Sequence, residues 1–382
     1  MSAGAALFID PPSYHFEEDK LFGDGVALNG GGVDILGPFA YLRSWLRERD
    51  VQVHTADMID RVQAVEGRPK IYVSFGMRER YGRLARRPDV ALSGLFAFEC
   101  PIVEPRLYRD LHAASRFFRG IYSFSTEQAL EPFLTGPVDL RAFRIPQAHD
   151  AVNGRLWSQG DRRFLVMINA NKVPPLSLNE LYTERLRAVA FFADHDEVDL
   201  YGVGWDGPVL RVGDRRLPGS VRLLQHRARR RLHELRPPRD PLARAVQKTN
   251  RGPVDDKAAT LAGYTFALCF ENSILEGWIT EKIFDCFYTG TIPVYLGAPD
   301  VERWIPPECF IDMRRFADYG DLRAFLRSLS PRDVEAYRVA ARDFLVSDLY
   351  RPFTKRAFAE LIGSLVEDAA GTELEPQLAA AG

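Results

Sequence analysis

Short apolar runs alternate with amphipathic helical patterns along most of this 382-residue chain. Such alternation is typical of α/β proteins with largely parallel sheets. In the first half the pattern predicts a helix from Pro38 to Arg49. It also predicts five strands, at Ala6–Ile9, Val51–Thr55, Ile71–Ser74, Val90–Ala97 and Ile121–Ser123.

The same alternation restarts after a polar stretch at residues 147–161. It predicts helices at Asn179–Ala193 and Glu281–Thr289 and strands at Phe164–Ile168, Val198–Tyr201, Phe266–Phe270 and Ile292–Tyr295. Two series in tandem predict two doubly wound, Rossmann-type domains facing a cleft, in which ligands bind beyond the carboxyl ends of the strands. We expect an N-terminal domain at residues 1–150, a second domain at 160–350, and a C-terminal helix and tail at 351–382.

The composition is that of an ordinary globular protein, 46% hydrophobic and 27% charged, with a net charge of −2. This charge gives no overall attraction to nucleic acid. The cysteines Cys100, Cys269, Cys286 and Cys309 are too widely spaced for a zinc site or a disulfide framework, which predicts a cytoplasmic protein. No apolar stretch approaches the roughly 20 residues of a membrane span, so we expect at most peripheral membrane contact.

One stretch departs from the overall charge balance. Residues 222–251 carry ten basic side chains against two acidic ones, Glu234 and Asp240. Two interpretations stay open for this stretch: a solvated surface loop, or an electrostatic lid over an anionic ligand.

The strand predicted at Phe266–Phe270 ends in Glu271 and Asn272, and Thr280 stands at the N-cap position of the next helix. The first turn of a helix offers unpaired N–H groups and the positive end of the dipole, both of which suit a phosphate. Lys282 adds a positive charge there, and Glu281 could accept hydrogen bonds from sugar hydroxyls. A plain capped helix with a surface lysine is the alternative interpretation.

The wider segment from Tyr264 to Phe316 contains CFENS, ITEK, GTIPVYLG and FID in order. It closely resembles the donor-binding motif of the bacterial α1,3/α1,4-fucosyltransferases, glycosyltransferase family 10. The resemblance implies a GT-B-like, inverting enzyme whose C-terminal domain holds the nucleotide of GDP-fucose.

The same resemblance assigns the donor-binding residues. It implies that Asn272 and Glu281 contact the nucleotide sugar and that Lys282 contacts the pyrophosphate, with Lys257 as a further phosphate ligand. Trp278 stands where the family usually has tyrosine. It keeps an aromatic face for stacking but loses the hydroxyl, so another GDP-linked sugar stays open as the donor.

The apolar run Val90–Phe98 ends at Glu99, a carboxylate at the carboxyl end of a predicted strand. The sequence FAFECP is similar to the glutamate-containing motif of the same family. The resemblance implies that Glu99 is the general base that removes the proton of the acceptor hydroxyl. A glutamate that caps a neighbouring loop is the alternative.

The family also has an arginine on the helix that follows the first strand of the second domain. Arg185 and Arg187 are the candidates, and the hydrophobic spacing downstream favours Arg185 as the second phosphate ligand. Residues two apart on a helix point to opposite faces, so a solvated helix face is expected for the other arginine.

The glycine-rich loop Leu28–Val33 precedes the first long helix. Its residues Asn29, Gly31 and Gly32 are candidates for acceptor binding, because glycine permits close approach of a sugar to the backbone. An ordinary connection between a strand and a helix explains the loop equally well.

Two further motifs point to other chemistry and are set aside. Gly202, Gly204 and Gly207 have the spacing of a dinucleotide fingerprint, but the sequence after Pro208 is not helical, as that fingerprint requires. Asp194-His195-Asp196 matches the D-x-D pattern of a metal-binding motif, but it precedes the neighbouring strand instead of ending one. We therefore expect no metal.

The resemblance implies transfer of L-fucose from GDP-β-L-fucose to a hydroxyl of an oligosaccharide or glycolipid, as in an α1,3-fucosyltransferase. We expect GDP-fucose as the donor substrate, no required cofactor and no nucleic acid partner. The alternatives are a transferase that uses another GDP-sugar and an inactive relative that only binds nucleotide sugar or glycan.

Overall fold

The computed structural model describes residues 4–23, 36–63, 68–76, 80–212 and 240–371. These residues form two compact units. The first unit contains the described residues up to Ala148 and those from Arg351 onward, and the second contains His149–Tyr350. The acceptor candidates Asn29, Gly31 and Gly32, most of the basic stretch and the end of the predicted tail lie outside the described residues.

The first unit is built on a sheet of six parallel strands in the order β2-β1-β3-β4-β5-β6. Strand β1 lies between β2 and β3, and every one of its residues is buried, as expected where helices cover a parallel sheet. The strands are β1 (Ala5–Asp10), β2 (Val51–Thr55), β3 (Lys70–Ser74), β4 (Val90–Ala97), β5 (Ile121–Ser123) and β6 (Leu140–Ala142). The helices up to residue 148 are α1 (Gly37–Arg47), α2 (Arg80–Leu84), α3 (Pro105–Ala114) and α4 (Glu127–Leu130).

The second unit has a sheet of five parallel strands in the order β11-β10-β9-β7-β8. Phe266, Leu268 and Phe270 of its central strand share a core with Val189 and Phe192 of the helix that follows β7. The strands are β7 (Arg163–Ile168), β8 (Val198–Tyr201), β9 (Tyr264–Phe270), β10 (Ile292–Leu296) and β11 (Ile311–Asp312). The helices are α5 (Gly154–Trp157), α6 (Tyr182–Asp194), α7 (Pro241–Thr249), α8 (Lys257–Ala262), α9 (Glu281–Thr289), α10 (Tyr319–Ser328) and α11 (Pro331–Leu345).

The last helix, α12 (Lys355–Ala370), packs in the first unit against α1 and β4. Its buried side chains include Phe358, Ile362 and Leu365. A Cβ atom at Gly94 of β4 would lie 2.9 Å from Leu365 Cδ1, so the glycine permits this close approach. The sequence predicted a separate C-terminal segment at 351–382, whereas α12 completes the core of the first unit.

The predicted α/β fold class is confirmed by the two parallel sheets. Strands β2, β4, β5 and β8 and helix α9 have the bounds that the sequence predicted. The edge strands β6 and β11 were not predicted. The sequence of β6 lacks an apolar pattern because none of its three residues is buried, and β11 has only two residues. The described part of the basic stretch contains helix α7, which packs on α6.

Arg162 links the ends of two helices in the second unit. Its guanidinium donates to the carbonyls of Thr289 at 3.0 Å and Gly290 at 2.9 Å, at the end of α9. It also donates to the carbonyls of Leu156 at 3.0 Å and Trp157 at 3.1 Å, at the end of α5. A cation suits the negative end of a helix dipole. Burial and the nearby Arg338 lower the pKa of Arg162 to about 10, so it is charged at neutral pH.

We predict that Arg162→Gln lowers the free energy of unfolding by about 2–3 kcal/mol, because hydrogen bonds from a charged donor to several buried carbonyls are lost. Urea denaturation monitored by circular dichroism measures this loss. Arg155→Gln is the matched control, since Arg155 lies on α5 but is exposed. Equal losses in the two variants would contradict the assigned role of Arg162.

Candidate functional site

The second sheet has a topological switch point beside β7. Strand β8 lies on one side of β7 and β9 lies on the other side. In open parallel sheets, ligands bind in the crevice outside the carboxyl ends of the strands at such a point. The loops at 169–181 and 271–280 follow β7 and β9 and flank this crevice.

Glu271 follows β9 directly, is fully buried, and joins the strand to the start of α9. Its carboxylate accepts hydrogen bonds from the backbone N–H and the hydroxyl of Thr280, both at 2.9 Å. It also accepts one from Lys282 Nζ at 3.0 Å. Thr280 stands at the predicted N-cap position, but its side chain makes no capping hydrogen bond to α9 and donates to Glu271 instead.

Lys282 lies in the first turn of α9 with an ammonium group that two carboxylates stabilise. Burial disfavours its charge, but the carboxylates of Glu271 and Glu281 outweigh burial and raise the pKa. The like charge of Arg185 opposes them. Lys282 is therefore a cation throughout the neutral range.

Arg185 of α6 is buried beside the carboxyl end of β9. Its Nη2 donates to Phe270 O at 2.7 Å and to Asn272 Oδ1 at 3.1 Å. Arg187, by contrast, has a side chain that is 64% exposed and pairs with Glu184 on the same helix. The structure thus brings Arg185 together with Asn272, while Arg187 lies on the solvated face of α6.

Glu281 lies between two ammonium groups. Its Oε1 is 3.7 Å from Lys282 Nζ and 3.9 Å from Lys257 Nζ. Burial opposes its ionisation, but Lys282 and Lys257 outweigh burial and lower the pKa of Glu281 to about 2. Lys257 also donates to Asp285 Oδ2 at 2.6 Å, so this candidate phosphate ligand already has an anionic partner on α9.

Lys257 and Lys282 line the same small cavity as Asn169, which follows β7, and Cys269 of β9. The cavity therefore lies along the two strands that form the switch point. Five of the donor-binding candidates, Lys257, Arg185, Asn272, Glu281 and Lys282, are brought to this end of the second unit.

Trp278, the sixth donor-binding candidate, is only 3% exposed. Its backbone carbonyl accepts a hydrogen bond from Tyr295 Oη at 3.3 Å. With so little of its surface exposed, the indole does not present in this structure the open aromatic face that the sequence suggested.

Glu99 lies in the first unit, in the loop that follows β4, and is partly buried. Its Oε1 accepts a hydrogen bond from the backbone N–H of Cys100 at 2.8 Å. Its backbone carbonyl accepts one from Tyr108 Oη at 2.6 Å. Glu99 thus lies just beyond the carboxyl end of β4, as the sequence predicted.

The sequence analysis assigned no role to two residues that the structure places beside the donor-binding candidates. Glu271 had been noted only as the end of a strand, and Asp285 had not been considered. An acidic residue immediately after a fully apolar strand could have pointed to Glu271, because an isolated buried carboxylate needs a cation nearby. Asp285 lies four residues after Glu281 on α9, and nothing local in the sequence identifies Lys257 as its partner.

The glycines at 202 and 204 have a structural role. Gly202 has a φ of 139°, and a Cβ atom there would lie 1.9 Å from the carbonyl oxygen of Asn169. The loop after β8 therefore needs glycine to pack against the loop after β7. The described residues after this motif, up to 212, are not helical, as the sequence analysis expected.

Within the described residues, no group of three or more His, Cys, Asp or Glu side chains could hold a metal ion. No helix in the same part of the chain is long and apolar enough to cross a membrane. All four cysteines are buried thiols, and the sulfur atoms of Cys269 and Cys286 are 3.3 Å apart.

The pKa of Glu281 predicts how its contribution to stability depends on pH. Since the pKa is lowered on folding from about 4.5 to about 2, the contribution is complete above pH 4.5 and is lost as the pH falls toward 2. We expect Glu281→Gln to have a lower free energy of unfolding than the wild type at pH 7. The margin, which is the difference between the two free energies, should narrow below pH 4.5. Urea titrations from pH 7 to pH 3.5 measure the margin. Glu276→Gln, on the preceding loop, is the control, and a margin that widens with acid would contradict the assignment.

The chain was compared with known proteins. Residues 242–339 match the family model for the C-terminal region of glycosyltransferase family 10 (fucosyltransferase). The GDP-fucose protein O-fucosyltransferase 3 of Xenopus laevis is 42% identical over 74 residues, which is 19% of this chain and 16% of that protein. The alpha-(1,3)-fucosyltransferase FucT of Helicobacter pylori is 34% identical over 85 residues, 22% of this chain and 18% of that protein. The matched segments thus span less than a fifth of either relative.

A solved glycosyltransferase from Rickettsia africae has a similar fold, with a TM-score of 0.52 and 9% identity over 96% of this chain and 98% of that one. The family match covers Glu271, Glu281 and Lys282 together with the motifs around them. Residues 242–339 of the second unit are therefore similar to the C-terminal region of the glycosyltransferase family 10 fucosyltransferases, as the sequence between Tyr264 and Phe316 indicates.

Proposed function

We propose that this protein is an inverting glycosyltransferase that transfers L-fucose from GDP-β-L-fucose to a hydroxyl of a glycan acceptor. The observation that carries the proposal is the arrangement of Arg185, Glu271 and Lys282 at the switch point of the second sheet. Two of these three residues lie within the segment that matches the family 10 domain.

On the donor side, we propose that Lys282 and Arg185 bind the pyrophosphate and that Asn272 and Glu281 bind the nucleotide sugar. Negative charge develops on the departing GDP, and cations held in place beforehand stabilise it without reorganisation. The N–H groups at the start of α9 contribute a further positive potential. Because fixed cations supply this stabilisation, we propose that transfer requires no added metal.

On the acceptor side, we propose that Glu99 is the general base. The acceptor oxygen attacks the anomeric carbon while its proton passes to a carboxylate oxygen of Glu99. The bond between the anomeric carbon and the phosphate oxygen breaks, and GDP leaves with the electron pair. The hydrogen bond from Cys100 N–H to Oε1 stabilises the ionised carboxylate and fixes its orientation.

The acceptor class rests on the relatives alone. The family resemblance favours an oligosaccharide or glycolipid and an α1,3 linkage. The glycine-rich loop supplies Asn29, Gly31 and Gly32 as proposed contacts, because glycine permits close approach of a sugar. The Xenopus relative is named as a protein O-fucosyltransferase, so peptide acceptors belong in the same screen. We retain the cytoplasm as the proposed compartment because all four cysteines are buried thiols.

The donor and the reaction are tested together. Purified protein is incubated with GDP-fucose or GDP-mannose, with and without acceptors, and the release of GDP is followed. We expect acceptor-dependent turnover of GDP-fucose that survives chelation of metals. Turnover of GDP-mannose alone would favour another GDP-sugar as the donor, and GDP binding without any turnover would favour an inactive relative.

Glu99→Gln tests the base. The amide cannot take up the proton, so we expect transfer to fall by about 10²–10⁴-fold with GDP affinity unchanged. Initial rates and calorimetric titration of GDP measure the two quantities. Glu104→Gln changes an exposed carboxylate five residues along the same chain segment and serves as the control. An unchanged rate in Glu99→Gln would exclude the base assignment even if the family is correct.

Arg185→Lys tests the second phosphate ligand. Lysine keeps the charge but loses the planar fork that bonds Phe270 and Asn272, so we expect GDP affinity to fall about tenfold to a hundredfold. Arg187→Lys, on the exposed face of α6, should leave GDP affinity unchanged. Equal effects of the two substitutions, measured by calorimetry, would show that neither arginine is specific to the site.

A further inference from the structure

We infer that Glu271 is a positioning residue for Lys282, and that Gly297 is the residue that makes room for it. This inference rests on the proposed function, since it concerns the pyrophosphate ligand of the same site. Neither residue carried a predicted role in binding or catalysis.

Glu271 is held in one place by hydrogen bonds from several directions. Its backbone N–H donates to Leu296 O at 2.8 Å, which ties it to β10. Its carboxylate accepts from the N–H and hydroxyl of Thr280 and from Lys282 Nζ. A fully buried carboxylate with these partners has little freedom to move, so its oxygens are fixed acceptors for the ammonium group.

The contacts of Lys282 account for most of its donor capacity. An ammonium group has three N–H donors. One is directed to Glu271 Oε2 at 3.0 Å and a second to Thr280 Oγ1 at 2.9 Å. Two fixed acceptors determine the direction of the third N–H, which is then available to a phosphate oxygen. Glu271 thereby acts on the ligand only through Lys282.

Gly297, directly after β10, explains how this carboxylate fits. A Cβ atom at Gly297 would lie 2.5 Å from Glu271 Cγ and 2.9 Å from its Cβ. It would also lie 2.6 Å from Tyr295 Oη. Since the backbone at Gly297 has no positive φ, the requirement for glycine is one of space and not of conformation. Any larger residue would displace the Glu271 side chain from its position beside Lys282.

The charges around Lys282 supply a readout that a purely structural role would not change. The carboxylates that face its ammonium group are Glu271 and Glu281, and the like charges nearby are Arg185 and Lys257. Burial opposes the charge, and the two carboxylates raise the pKa above its ordinary value. Without the charge of Glu271, we expect the pKa of Lys282 to fall, so that its deprotonation moves to lower pH.

The experiment uses Glu271→Gln and Gly297→Ala in the full chain. We expect each variant to lower kcat/KM for GDP-fucose by about 10–100-fold, mainly through KM. In Glu271→Gln the alkaline limb of kcat/KM should also move to lower pH than in the wild type. The double variant should lose less than the product of the two single losses, because the added Cβ at residue 297 acts in part through Glu271. Controls are Glu276→Gln, on the same loop, and Gly160→Ala, where an added Cβ meets no atom within 4 Å.

A folded Glu271→Gln protein with the donor KM and pH profile of the wild type would overturn the inference. If that variant does not fold, a Gly297→Ala protein with unchanged GDP affinity would overturn it instead. The failure of the proposed function looks different: the wild type would then bind GDP but transfer no sugar. In that case the GDP affinities of the same variants still test Glu271, with the same expected fold-changes.

Discussion

The ion pair between Glu271 and Lys282 joins the end of the central strand of the second sheet to the first turn of α9. Each group alone would be expensive to bury, and breaking such a pair leaves an uncompensated charge in the interior. Thr280 bonds both partners, so the strand end, the loop and the first turn of α9 form one hydrogen-bonded unit. The first turn of α9, with Glu281 and Lys282, is consequently tied to the end of β9.

The cations at this end of the second unit are balanced before any ligand is present. Arg185, Lys257 and Lys282 lie among three carboxylates, those of Glu271, Glu281 and Asp285. Because each lysine ammonium already has an anionic partner, the fold can keep both charges together in a buried environment. A ligand that brings negative phosphate groups meets cations whose geometry is already established, which is the arrangement that favours stabilisation of charge on a leaving group.

Structure was predictable from the sequence where neighbouring residues form a clear hydrophobic pattern, and not where it depends on contacts between distant segments. Strands with long apolar runs, such as β4 and β9, were predicted within two residues because burial on both faces of a parallel sheet leaves an unmistakable pattern. The position of α12 in the first unit depends on contacts with α1 and β4, more than 200 residues earlier in the chain, which no local pattern reveals. Arg185 was separated from Arg187 by helical periodicity, whereas the partnership of Lys257 with Asp285 depends on the packing of α8 against α9.

The place of α12 also has a consequence for the order in which the chain acquires its structure. The second unit ends at Tyr350, so every described residue of that unit has been synthesised before α12 begins at Lys355. The first unit, although most of its described residues precede the second unit in the sequence, lacks the helix that covers β4 until the second unit has been synthesised. During synthesis the usual N-terminal-first order is therefore reversed for the completion of the two cores. The second unit can complete its core while the face of β4 around Gly94 is not yet covered by α12.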